Sequence, residues 1–120
     1  MTDKTKVLFC PVGRECELVE IDNTMEAVQQ LVGCKALDVV RPWSPDVGVI
    51  IGAGDGADKT KNRWLYREDA PVVRCGVCGA FVVACMPRNT QGVLLPLLAM
   101  FADRYKKYME MYDPNEGDWK

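Results

Sequence analysis

Apolar and polar positions along the chain fall into short runs whose period changes several times. Val7–Val12 begins as Val-Leu-Phe-Cys and closes on Pro11 and Gly13, which reads as a strand running into a turn. Cys16–Ile21 alternates, with Leu18 and Glu20 set against Val19 and Ile21, and predicts a second strand paired back on the first through Pro11–Glu15. Asp22-Asn23-Thr24 supplies side chains able to accept from free helix N–H groups, and Asn23 with Glu26 has capping-box spacing. Met25, Val28, Leu31 and Val32 then share one helical face, and Gly33 stands where a helix-ending glycine belongs. The spacing predicts a helix from about Thr24 to Val32.

Ala36–Val40 predicts a third strand, stopped by Arg41-Pro42, with Pro42-Trp43-Ser44-Pro45 as a loop. The continuous apolar run Val47–Ile51 predicts a fourth strand buried on both faces. Gly52–Lys61 is a long polar loop, and Asn62–Arg67 reads equally as a helical turn or an extended piece. Val72–Cys85 contains a fifth strand, clearest at Ala80–Ala84, and Pro87–Asn89 is a turn. Leu94, Leu97, Leu98, Phe101, Tyr105, Tyr108, Met109 and Tyr112 recur at steps of three and four, which predicts one long final helix opening at Thr90 or Gln91. Pro96 is tolerated near its first turn, and Asp113-Pro114 ends it. The fold expected is α+β: a mainly antiparallel sheet of five strands, one short helix and one long C-terminal helix. Residues 1–112 are expected to form one domain and residues 113–120 a tail.

Composition narrows the classes of function. The chain has 120 residues and a formal net charge of −2, so it lacks the basic surplus of a phosphate-backbone binder and nucleic acid is a poor default partner. No stretch is apolar over the length of a membrane span, and Met1–Lys6 is too polar to begin a signal peptide. The six cysteines Cys10, Cys16, Cys34, Cys75, Cys78 and Cys85 therefore read as cytosolic thiols. Histidine is absent, which removes Ser-His and Cys-His nucleophile pairs, an imidazole base near neutral pH and histidine-bearing zinc sites. The expectation is a protein that binds and does not catalyse, with no cofactor and no resident metal.

Two motifs compete for that binding role. Cys75-Gly76-Val77-Cys78 has the spacing of a zinc knuckle or redox pair, but no second knuckle accompanies it and it runs into a strand, not a helix N-terminus. Small thiols in or beside a strand are the plainer reading. Gly52-Ala53-Gly54-Asp55-Gly56 follows a strand, the position of a phosphate loop, without the GxGxxG frame or a Walker lysine. A flexible connection is its plainer reading. Lys59, Lys61, Arg63, Arg67 and Arg74 make the middle of the chain locally basic, with Trp43 and Trp64 nearby in sequence. Arginine and tryptophan beside a glycine-rich loop suit a phosphate and a stacked base. The candidate ligand-binding residues are thus Trp43, Gly52, Gly54, Asp55, Gly56, Asn62, Arg63 and Trp64, with Arg63 on phosphate, Asn62 on base or ribose, and loop N–H groups in support. The tyrosine-rich end of the final stripe is suited to a homo-oligomer contact.

Val19-Glu20-Ile21-Asp22-Asn23-Thr24, the helix ending Leu31-Val32-Gly33, the pair Asn62-Arg63 with Leu65 after it, and Gly79-Ala80-Phe81-Val82-Val83 together resemble the family called domain of unknown function 3846. The resemblance covers about Lys6 to Ala84. Two features depart from the family pattern: Ala53-Gly54-Asp55-Gly56 stands where members carry Asn-Glu-Glu-Gly, and the Cys75/Cys78 pair lies outside it. The resemblance implies a phage- or plasmid-encoded accessory protein in the cytoplasm of a bacterial host, of the kind that blunts host defence. Two modes of action stand open: sequestering a small nucleotide-like signal, or blocking a host defence protein by surface contact. A small CxxC zinc or redox protein is a third reading.

Overall fold

The computed structural model describes residues 4–67, 74–87, 94–97, 99–113 and 115. Eight strands and two helices follow in the order β1 (Lys4–Cys10), β2 (Glu17–Asp22), α1 (Met25–Val32), β3 (Leu37–Ser44), β4 (Val47–Gly52), β5 (Lys61–Tyr66), β6 (Arg74–Cys78), β7 (Phe81–Cys85), α2 (Ala99–Lys106) and β8 (Met109–Met111). The fold is α+β, and its strands form two antiparallel sheets. Sheet A has five strands in the order β2-β1-β7-β4-β3, and sheet B has three in the order β6-β5-β8.

Sheet A is the sheet the alternation predicts. β1 and β2 form the expected hairpin, with Val7 opposite Val19 and Leu8 opposite Leu18. Side chains alternate across a strand, so the sheet divides two apolar cores. Val7, Ile50, Val82 and Ala84 face α1, where Val28 and Val32 meet them. Leu8, Val47, Val49, Phe81 and Val83 face sheet B and meet Leu65, Val77 and Tyr105. β4 is interior to the sheet and has buried residues on both faces, as its unbroken apolar run predicts. The edges are β2 and β3.

The helix α1 begins one residue inside the predicted bound. Thr24, not Asn23, is its N-cap, accepting from the Ala27 N–H at 3.2 Å, and Gly33 ends it at φ +78°. Asn23 is used elsewhere. Its Nδ2 donates to the Leu94 carbonyl at 2.7 Å and its Oδ1 accepts from the Leu94 N–H at 3.2 Å, which pins the C-terminal segment to the start of α1. Met25 is solvent-exposed, so the apolar face is narrower than the spacing suggests.

Three expectations are corrected. Pro42–Ser44 is not a loop: β3 continues to Ser44 with a register shift between Val40 and Ser44. An edge strand can carry a proline because one row of its N–H groups has no ladder partner. Asn62–Arg67 resolves as extended chain, the central strand of sheet B, and the region expected to hold one strand before Met86 holds two, β6 and β7. The long final helix is absent from the described residues. Leu95 bridges Cys85, and α2 covers only Ala99–Lys106 before the chain enters β8. Pro96 disfavours helix at the residue before it, and Leu95 is accordingly extended against β7. The predicted helix start at Thr90 or Gln91, the turn at Arg88–Asn89, Val72, Leu98 and most of the 113–120 tail lie outside the described residues. No helix among the described residues is long and apolar enough to cross a membrane.

Candidate functional site

β5 reads Lys-Asn-Arg-Trp-Leu-Tyr and buries Asn62, Arg63, Trp64 and Leu65 in succession. Two of these are polar, so their hydrogen-bonding groups need partners inside the protein. A bulge supplies the geometry: Lys61 pairs with Cys78 and Arg63 with Val77, leaving Asn62 as the extra residue. Bulges re-aim side chains. Here Asn62 Nδ2 donates to the carbonyls of Cys10 at 3.0 Å and Gly79 at 2.8 Å, while its Oδ1 accepts from Arg63 Nη1 at 2.6 Å. Arg63 also donates to the Pro11 carbonyl at 2.8 Å and to the Arg14 carbonyl. The pair therefore clamps the β1–β2 connection and the β6–β7 turn onto sheet B. That turn passes through Gly79 at φ +75°, where an added Cβ would stand 3.0 Å from the Asp58 side chain, so glycine suits both the torsion and the close approach.

The sequence-predicted site residues are not brought to one place. Asn62 and Arg63 are 2% and 3% exposed and bind main-chain carbonyls. Gly54, Asp55 and Gly56 are exposed on the loop after β4. Gly52 pairs with Leu37, at the opposite end of β4 from Val47 and roughly 17 Å along the strand. Within that loop the Ala57 N–H is used by Gly54 O, and Asp58 Oδ1 accepts from the Thr60 N–H at 2.9 Å. Trp43 and Trp64 lie at the other end, near each other's strands. The Trp43 indole N–H donates to Tyr66 O at 2.7 Å and its ring stacks on Tyr105 at 4.9 Å, with planes 18° apart. Trp64 is buried beneath Arg74, whose guanidinium carbon lies 3.9 Å from the ring centroid.

Around the tryptophans the structure assembles a site that the spacing did not assign. Arg41 and Pro42 at the irregular end of β3, Leu65 of β5, Arg67 just after it, and Arg74 with Cys75 of β6 line a cleft of about 400 Å³. Arg41 is held by the carbonyls of Pro45 at 2.8 Å and Met86 at 3.0 Å. Arg74 lies over Trp64 and reaches the Tyr66 hydroxyl, which itself donates to Glu110. Three arginines thus line one cleft in a chain whose net charge is negative. Arg67 and Arg74 belonged to the basic stretch noted in the sequence. Arg41, a strand stopper by sequence, lies inside β3 where its register shifts, and lines the cleft.

A second cavity, of about 390 Å³, lies against Glu15, Cys16, Arg63, Lys106, Met109 and Met111. Cys75 and Cys78 are three residues apart on a strand, so they point to opposite faces of sheet B. Among the described residues no group of three or more cysteine, aspartate or glutamate side chains is placed to hold a metal ion.

In the comparison with protein families, the model described as domain of unknown function (DUF3846) matches residues 5–112. Searches of curated proteins and of solved structures each found no match.

Proposed function

We propose that this chain, which belongs to the DUF3846 family, is a non-enzymatic binding protein that holds a small, phosphorylated, nucleotide-like ligand in the Arg41–Arg67–Arg74 cleft. The observation that carries this reading is that three arginines, from β3, from β6 and from the residue after β5, line one concavity, with no carboxylate among the described residues that line it. A guanidinium presents a planar fork of donors that matches phosphate oxygens, and two or three of them suit a polyphosphate or a phosphodiester better than a single anion. The cleft volume falls at the lower end of small-ligand sites. The sequence contains no histidine, and the cleft offers anion recognition without an evident acid–base pair, which favours holding over turnover. This moves the phosphate role from Arg63 and the Gly52–Gly56 loop to Arg41, Arg67 and Arg74. In a phage or plasmid setting, such binding would withdraw a nucleotide signal from host defence.

Calorimetric titration with nucleoside mono-, di- and triphosphates and cyclic dinucleotides, with inorganic phosphate as control, tests the reading. One member of the set should bind, and Arg67→Ala should weaken it by about tenfold or more, since a hydrogen bond to a charged group contributes about 1.5–3 kcal/mol. Absence of binding across the set, together with a stoichiometric host protein recovered on the immobilised chain, would replace this reading with inhibition by surface contact. Undiminished affinity in both Arg41→Ala and Arg67→Ala would remove the ligand from this cleft.

A further inference from the structure

Cys10 and Cys16 flank the connection between β1 and β2, and Arg63 grips the carbonyls of Pro11 and Arg14 within it. That grip folds the connection back so that the two sulfur atoms lie 2.9 Å apart, both as free thiols. Two thiolates sharing one tetrahedral zinc would stand about 3.8 Å apart, so the spacing suits sulfur–sulfur chemistry better than chelation. The two thiols differ in access. Cys10 is fully buried, whereas Cys16 is half-buried and forms part of the wall of the cavity shared with Arg63 and Lys106. We propose that this pair is a thiol–disulfide exchange site, with Cys16 as the attacking thiol, Cys10 as the resolving thiol and a low-molecular-weight disulfide as the oxidant.

The chemistry closes. The Cys16 thiolate attacks one sulfur of the small disulfide, forming a mixed disulfide and expelling the other half as a thiolate. Cys10 then gives up its proton and attacks the Cys16 sulfur, and the second half leaves. Two protein thiols are oxidised to one disulfide, and the small disulfide is reduced to two thiols. The electrostatics order the steps. The hydrogen bond shared with Cys10, aided by the positive charges of Arg63 and Lys106, lowers the Cys16 thiol to about 7, against the opposing effect of its partial burial. Burial raises Cys10 well above the usual thiol range, so it keeps its proton until Cys16 has reacted. The attacking group is therefore the one the cavity exposes.

Incubating the reduced full chain with glutathione disulfide, followed by intact-mass measurement and peptide mapping, tests the site. The expected product has lost two hydrogen atoms and links Cys10 to Cys16. Cys16→Ser should abolish that link, and Cys10→Ser should stop at a glutathione adduct on Cys16. Oxidation confined to Cys75 or other thiols, with Cys10 and Cys16 still reduced, would overturn the proposal. Iodoacetamide labelling of the unmutated chain needs no variant to fold. Cys16 should be alkylated ahead of Cys34, Cys75, Cys78 and Cys85, with a rate that rises as pH passes through about 7. Alkylation of Cys16 no faster than that of Cys34 and Cys78 would also overturn it.

Discussion

Sheet A and sheet B bury comparable strands by different means. In sheet A the interior positions of β1, β4 and β7 are almost wholly aliphatic or aromatic, and an exposed ion pair, Lys4 with Asp22, sits at the rim. In sheet B the central strand buries an asparagine and an arginine side by side and satisfies them with four main-chain carbonyls from outside that sheet. Apolar contact is indifferent to direction, whereas each hydrogen bond has one donor, one acceptor and a required angle. Sheet A therefore supplies bulk stability. The Asn62–Arg63 pair fixes where sheet B, the β1–β2 connection and the β6–β7 turn stand relative to one another.

The contrast can be broken at its centre. Phe81 is fully buried between the sheets, and Phe81→Ala should lower unfolding free energy by about 3–5 kcal/mol, read as a shifted urea midpoint. Because Leu65, Val77 and Phe81 share one core, far-ultraviolet circular dichroism and tryptophan fluorescence should lose signal at the same urea concentration. Separate transitions would show that sheet B unfolds on its own. Asn62→Ala should have a somewhat smaller effect, about 1–3 kcal/mol in all, as the Cys10 and Gly79 carbonyls lose their donor, and should shift resonances of Cys10 and Gly79 in amide spectra before it shifts those of β4. Lys4→Ala removes an exposed polar contact at the edge of sheet A, and the urea midpoint should stay where it was. A loss comparable to that of Asn62→Ala would erase the distinction between rim and interior polar groups.

The same division governs what could be read in advance. The five predicted strands all fall in sheet A, at β1, β2, β3, β4 and β7, because alternation or a continuous apolar run marks each of them. β5 gave no such signal, since Asn62 and Arg63 occupy interior positions that a hydrophobic pattern assigns to solvent. The stripe from Leu94 to Tyr112 has helical spacing, but the chain uses it as an extended bridge, a short helix and a strand, each burying a few of its members. Asparagine and arginine in a polar stretch also look like ligand-binding groups until their partners are known. Trp43 and Trp64 are expected to stack on a ligand, but in the structure their rings serve Tyr105 and Arg74. Arg41 became visible only through the β3 bulge. The nearness of Cys10 and Cys16 did have a signal, since both flank a predicted hairpin connection.

The two edges of sheet A, β2 and β3, differ from its interior strands in what they offer to a further strand. Along β2, Glu17, Glu20 and Asp22 place three carboxylates on a strand of six residues. A two-fold antiparallel joining of two β2 edges would set Glu17 of each copy opposite Asp22 of the other, and like charges directly opposed across strands repel. At the far edge, Pro42 withholds a donor and the register shift turns β3 away from a straight template. Sheet A is thus guarded at both margins against growing by strand addition.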